Sequence, residues 1–362
     1  MNLAHESFAA GLRKRDKDRQ AKGRGLNAAR RRAACADALR LPAVLFSVAL
    51  CLCVLSSGPM PGASFIEEQA YYLFTSFRGN GEDGLHLAIS QDGYRWTALN
   101  QDRSFLKPQV GKGRLMRDPC VAQGPDGTFH LVWTTGWYDQ TIGYASSKDL
   151  VQWSEQRAIP VMAHEPQARN AWAPELFYDE SRKQWLIFWA TTIPGRFPET
   201  DHTGNNGNNH RIYYVTTRDF KTFSATRLFF DPGFNVIDAT ILKAGDKYYL
   251  IFKDERQNPL KKNLRLAVSS SAEGPYGQIS APFTKDWVEG PSAIKIGDTW
   301  FVYFDQYRDH RYGAVKSKEL KNWQDISPAL SFPADHRHGS VIRISGTLAQ
   351  RLITMSAGDQ RE

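Results

Sequence analysis

The chain has 362 residues, of which 41% are hydrophobic and 12% aromatic, and a formal net charge of +8. Residues 1–63 hold eleven Lys/Arg against four Asp/Glu and so carry +7 of that charge, which leaves the remainder nearly neutral and gives no indication of a basic nucleic-acid-binding face on it. The length admits two domains, but all-β chains of this size are commonly single ones.

The leader comes first. Polar, Arg-rich sequence runs through Arg30-Arg31-Arg32 and is followed by the apolar segment Leu41–Leu55 and by small residues between Gly58 and Ala63. That segment has the length of a signal-peptide core and is short for a membrane span. Residues 1–63 are therefore expected to be a basic leader, either a signal peptide or an N-terminal anchor. The protein is accordingly expected to be secreted or periplasmic, with membrane contact only through an uncleaved leader. Cys35, Cys51 and Cys53 lie in this leader and Cys120 stands alone beyond it, so the body has no disulfide framework. Cys120 alternates with Asp118 on a predicted strand and reads as a small buried apolar residue.

From residue 64 to 362 a module repeats: an ionisable residue opening a short β-run, a Gly/Asp turn, then an aromatic-rich strand. The copies are Arg117-Asp118-Pro-Cys-Val-Ala-Gln with Phe129-His-Leu-Val-Trp, Ala173-Pro-Glu175-Leu-Phe-Tyr with Trp185-Leu-Ile-Phe-Trp, Ile237-Asp238-Ala-Thr-Ile-Leu-Lys with Tyr248-Tyr-Leu-Ile-Phe, and Glu289-Gly-Pro-Ser-Ala-Ile-Lys-Ile with Trp300-Phe-Val-Tyr-Phe. A fifth start, His338-Gly-Ser-Val-Ile-Arg-Ile, has no aromatic strand after it, whereas Tyr71-Tyr-Leu-Phe-Thr-Ser-Phe has no ionisable strand before it. Pairing these two termini completes a fifth unit. Each module closes on an edge ending in Trp96, Trp153, Phe223, Tyr276 or Trp323, and this recurrence assigns those rings to packing between units. The pattern predicts an all-β, five-bladed β-propeller, its ring closed by the N-terminal strand pairing with the C-terminal inner strand. Helical periodicity is nearly absent, and the Asn/Gly tract 203–210 reads as a mobile loop.

In a propeller the first strand of every blade lines the channel. Asp118, Glu175, Asp238, Glu289 and His338 are thus expected on one ring, where ionisable groups are costly to bury without a purpose. Crowded carboxylates push one another's pKa apart and can supply an acid and a base together, the pair that glycoside hydrolysis requires.

At these residues the chain resembles glycoside hydrolase family 43, five-bladed propeller enzymes that include arabinofuranosidases, xylosidases, arabinanases and galactosidases. The resemblance spans about Tyr71 to Ser345. It implies an inverting hydrolase with Asp118 (Asp-Pro) as general base, Asp238 as the residue that keeps the acid protonated, and Glu289 (Glu-Gly-Pro) as general acid. Trp172-Ala-Pro-Glu175 is similar to the family's Trp-Ala-Pro-Asp segment, with Glu in place of Asp. His338 resembles the family's channel histidine, which implies a water-orienting role or contact with a bound Ca2+, although no cofactor is required. Loops carrying Phe77-Arg78, Trp137-Tyr138, Arg196 and Asp305–Arg308 are expected to wall a sugar pocket. Trp137, Trp172, Glu175, Arg308 and His338 are the candidate substrate contacts. The expected substrates are α-L-arabinofuranosides, β-D-xylosides or galacto(furano)sides. A catalytically silent carbohydrate-binding propeller is the alternative from another class. A fructosidase- or phosphorylase-type enzyme is a further one, but the Asn-Asp-Pro-Asn-Gly strand of fructosidases is missing.

Overall fold

The computed structural model describes residues 70–358, so the leader lies outside the described residues. In chain order the strands are β1 (Tyr71–Ser76), β2 (His86–Ser90), β3 (Thr97–Ala98), β4 (Arg117–Gln123), β5 (Phe129–Thr134), β6 (Ile142–Ser147), β7 (Arg157–Ile159), β8 (Trp172–Asp179), β9 (Gln184–Thr192), β10 (His210–Thr217), β11 (Arg227–Phe230), β12 (Val236–Ala244), β13 (Lys247–Asp254), β14 (Asn263–Ser269), β15 (Glu289–Ile296), β16 (Thr299–Gln306), β17 (Arg311–Ser317), β18 (Gln324–Asp325) and β19 (Val341–Ile344). They form five antiparallel sheets, β19-β1-β2-β3, β4 to β7, β8 to β11, β12 to β14, and β15 to β18. The architecture is a five-bladed β-propeller, and β1 pairs with β19 from Tyr71↔Ile344 to Phe74↔Val341, which closes the ring as expected. The fourth blade stops at three strands, with only the Val268↔Gly277 bridge where its outer strand would run.

Apolar side chains gather into five clusters, and each lies between two neighbouring blades. The seam between the first and last blades centres on Phe74, which meets Trp96, Tyr303, Tyr312 and Phe332 edge-on at 4.9–5.9 Å. Contacts of this kind contribute about 0.5–1.5 kcal/mol each beyond area burial, so the ring's closing seam does not rest on four backbone pairs alone. The edge aromatics pack as predicted: Trp96 is buried in this seam, Trp153 flanks the cluster between the first two blades, and Trp323 stacks on Phe283 at 4.7 Å.

One expectation needs correction. The chain ends in a helix, α1 (Gly346–Gly358), which inserts Ala349 and Leu352 between the first two blades. Ser345 Oγ accepts the Leu348 N–H at 3.2 Å at its start, and Leu348, Ala349, Leu352 and Ile353 make a helical stripe too short to stand out beside the β-repeat. The tract 203–210 leads into β10 as a loop, and its far end is hydrogen-bonded. Asn209 donates to Asp201 Oδ1 at 2.9 Å and to the Phe197 carbonyl at 2.8 Å, while the His210 N–H donates to Asn235 at 2.8 Å.

Candidate active site

All five inner strands begin with the same irregularity. Pairing to the second strand skips a residue between Arg117 and Cys120, Trp172 and Glu175, Ile237 and Thr240, and Glu289 and Ser292. The Phe77↔Arg337 bridge, followed by hydrogen bonding between Thr75 and Ser340, repeats it in the first blade. Such a bulge re-aims side chains at the strand end. Its central residue is left-handed at Asp118 (φ 52°), Ala173 (47°), Asp238 (50°) and Gly290 (60°), a conformation costing non-glycine residues about 1–3 kcal/mol and maintained only where neighbours enforce it.

This geometry splits the expected single ring into three levels. Arg117, Trp172, Ile237, Glu289 and Arg337 form the first, and Asp118, Ala173, Asp238, Gly290 and His338 the second. Cys120, Glu175, Thr240, Ser292 and Ser340 form the third. Asp118 and Asp238 therefore share a level with His338, Glu289 sits one residue before them, and Glu175 lies two residues further along its strand. The one-ring expectation fails because residues a few positions apart look equivalent when the bulge is invisible.

His338 is the hub of the second level. Its Nδ1 lies 3.3 Å from Asp118 Oδ1 and 3.9 Å from Asp238 Oδ2. Burial works against its charge, but Asp118, Asp238 and Glu289 outweigh it and push its pKa up to about 9, so the ring is an imidazolium at neutral pH. Its place requires Gly290, where a methyl group would come within 2.3 Å of the imidazole. Burial likewise raises the Asp118 carboxyl, yet His338, Arg117 and the Thr134 hydroxyl donating at 2.8 Å hold it at about 2. Thr134 Oγ1 in turn accepts the Ala173 N–H at 2.7 Å, locking neighbouring blades around the base.

The remaining two acids, Asp238 and Glu289, are pushed in opposite directions. Asp238 is raised to about 7 by burial, with the charges of Glu289 and Asp118 adding to it. Burial also raises Glu289, but Lys253, His338 and Arg337 outweigh it and hold it below its ordinary value. Lys253 is the cause that sequence reasoning missed: it is buried, with Nζ 3.0 Å from Glu289 Oε2 and 2.7 Å from Glu255 Oε2. A signal for Lys253 exists, since it and Asp305 directly follow the aromatic runs of β13 and β16 and pair with the first-level residues Ile237 and Glu289. Asp305 in turn accepts from Arg337 Nε at 2.6 Å, and Arg337 Nη2 stands 3.7 Å from Glu289.

Glu175 accepts from the Cys120 thiol at 3.4 Å and the Thr240 hydroxyl at 3.3 Å. Burial raises its pKa to about 7, and these contacts give it the character of a buried strut between blades. Cys120 is buried, and burial with the nearby Glu175 raises its thiol well above the ordinary range, so it is no nucleophile. Around the mouth, Trp137 is 45% exposed. It meets Trp172 edge-on at 5.7 Å and lies under the Arg117 guanidinium at 4.3 Å. The Trp172 indole N–H donates to the Trp137 carbonyl at 3.0 Å. Arg308 stacks on Trp287, beside Tyr307. Arg78 and Arg196 are engaged in ion pairs with Asp102 at 2.9 Å and Glu165 at 2.7 Å.

Calcium takes six to eight oxygen ligands. At His338 two aspartates and one imidazole nitrogen converge, a set with too few oxygens to hold that ion by itself.

Residues 67–348 match a family described as "Probable glycosyl hydrolase domain" and related to glycoside hydrolase family 43. An α-L-arabinofuranosidase of Bifidobacterium longum subsp. longum is 25% identical over 200 residues, 49% of this chain and 19% of the relative. The match therefore spans about a fifth of that relative's length. Similar solved structures include an α-L-arabinofuranosidase from Lactobacillus brevis (20% identity, TM-score 0.45, 59% of this chain and 72% of that one). They also include an exo-β-1,3-galactanase from Clostridium thermocellum (15%, TM-score 0.47, 60% and 50%).

Proposed function

The chain belongs to this glycoside hydrolase family 43-related family, and on that premise we propose that it hydrolyses terminal glycosidic bonds of oligo- or polysaccharides by inversion at the anomeric carbon. The observation that carries the proposal is the constellation of one ionised aspartate and a second, proton-sharing pair of acids around the His338 imidazolium.

Asp118, ionised throughout the working pH range, accepts a proton from the attacking water as the new bond to the anomeric carbon forms. The glycosidic bond breaks on the opposite side, and its oxygen takes a proton from the Asp238–Glu289 pair, with Glu289 as the donor. The two acids thereby end one proton poorer and Asp118 one richer, and exchange with solvent restores both. Trp137 and Trp172 offer apolar faces to the sugar, and Arg308 lies on the loop between β16 and β17.

The curated relative is named as an α-L-arabinofuranosidase, which makes arabinofuranosides the first substrates to test, ahead of β-xylosides and galacto(furano)sides. Export to the periplasm or medium is part of the proposal and rests on the leader sequence. The test is a panel of 4-nitrophenyl glycosides with the full chain. Turnover of at least one, abolished in Asp118→Asn, supports hydrolysis, whereas sugar binding by calorimetry with no turnover on any member establishes the silent carbohydrate-binding propeller instead.

A further inference from the structure

A second polar cluster lies on the channel-mouth side of the first blade, outside the acid constellation. His86 opens β2, His336 stands two residues before His338, and Asp102 is carried on the turn after β3. Both imidazoles are buried, at 1% and 2% exposure. Asp102 Oδ1 lies 3.2 Å from His86 Nδ1 and 2.8 Å from His336 Nε2, and one ligand atom from each of the three residues falls within 4.8 Å of the others. Among the described residues no other group of three or more His, Cys, Asp or Glu converges in this way.

Each residue has its own outer partner. Asp83 Oδ2 is 2.8 Å from His86 Nε2, Ser76 Oγ is 2.6 Å from His336 Nδ1, and Arg78 Nη1 is 2.9 Å from Asp102 Oδ2. Outer contacts of this kind fix the tautomer and orientation of metal-binding histidines. With a cation at the centre, His86 donates Nε2–H to Asp83, His336 donates Nδ1–H to Ser76, and both inner nitrogens present lone pairs. Without one, Asp102 and Asp83 confront His86 with a carboxylate at each nitrogen. Asp102 reaches the histidines from a turn in which Asn100, Gln101 and Asp102 are all left-handed, at φ 54°, 54° and 59°. The outer partners Arg78 and Asp83, with Arg337, line a cavity of about 520 Å3 beside the cluster.

We propose that His86, Asp102 and His336 form a binding site for one divalent transition-metal ion of the zinc class, which pins the segment carrying Arg337 and His338 to the first blade. Two imidazoles and one carboxylate suit zinc, with a fourth position left for water, and do not suit calcium. The consequence for the active site is positional: His336 holds the segment at one point, and Arg337 holds it at the next through Asp305.

The test is a Zn2+ titration of the full chain after chelation, with Cys35, Cys51 and Cys53 changed to serine in every protein so that no leader thiolates compete. Metal content by mass spectrometry, competition with a chromophoric chelator and the melting temperature are the readouts. The proposal expects one Zn2+ per chain, a rise in melting temperature with Zn2+ but not Ca2+, and loss of both in His336→Ala. Asp83→Asn, a partly exposed outer residue whose change leaves the three ligands in place, is expected to fold and to bind about 10- to 100-fold more weakly. Absence of Zn2+ binding to the chelated parent, or undiminished binding in both His336→Ala and Asp83→Asn, overturns it.

Discussion

Lys253→Met tests the account of how the acid pair holds its proton. The ammonium lies 3.0 Å from Glu289, where an effective dielectric near 20 gives an attraction of about 5 kcal/mol. At about 1.4 kcal/mol per pKa unit this bounds the effect on the pair at roughly 4 units. Arg337, which remains 3.7 Å from Glu289, and water entering the vacated space both offset part of it, so a rise of about 2 units is expected. The sign follows from charge: the active pair is singly protonated, and losing a neighbouring cation disfavours the doubly ionised form. The alkaline limb of kcat/KM, set in the parent by the Asp238 carboxyl near 7, therefore moves upward, and activity persists to higher pH. Removing one partner of this buried cluster also costs about 3–5 kcal/mol of stability, read as a lower melting temperature. The pH profile on an aryl glycoside is the assay. It depends on shape rather than height, so a general loss of rate does not obscure it, and a limb that stays put or moves to lower pH refutes the assignment.

Glu175→Gln is expected to leave kcat within about 10-fold and the melting temperature nearly unchanged, since a neutral amide replaces a carboxyl already raised to about 7; a loss beyond about 10³-fold, measured on the same substrate, places Glu175 in the chemistry. Gly290→Ala combines a left-handed position with a 2.3 Å approach to the His338 ring. A destabilisation of at least about 2 kcal/mol is expected in urea unfolding, and a parent-like midpoint contradicts the hub geometry. Trp137→Ala removes an exposed ring beside Trp172, so KM should rise about 10-fold with kcat retained, a loss of binding shared by ground and transition states; unchanged KM removes Trp137 from the sugar site.

The blade count and ring closure were legible because each blade repeats an ionisable start, a turn and an aromatic strand, and because the missing halves of the ring-closing blade stand at opposite ends of the repeat. Levels within the channel were not legible. One extra residue per strand start turns Glu175 away from the level of Asp118, and no side-chain pattern announces a bulge. Lys253 was hidden for a different reason, since it lies on a second strand and reaches Glu289 in the neighbouring blade, 36 positions away. His86, Asp102 and His336 are separated by 16 and 234 positions, and only closure of the ring brings the last of them to the first blade. The terminal helix escaped because its stripe of four apolar residues follows directly on a chain read entirely at strand period.

The anomeric configuration of the first-formed sugar bears most directly on the acid–base account. Proton NMR recorded during hydrolysis of whichever glycoside turns over, with Asp118→Asn and Glu289→Gln in parallel, reads it before mutarotation. Inverted configuration in the parent, with a rate loss of about 10²–10⁴ in each variant, is the predicted result. Retained configuration, or turnover undiminished in Asp118→Asn, contradicts a water-activating Asp118.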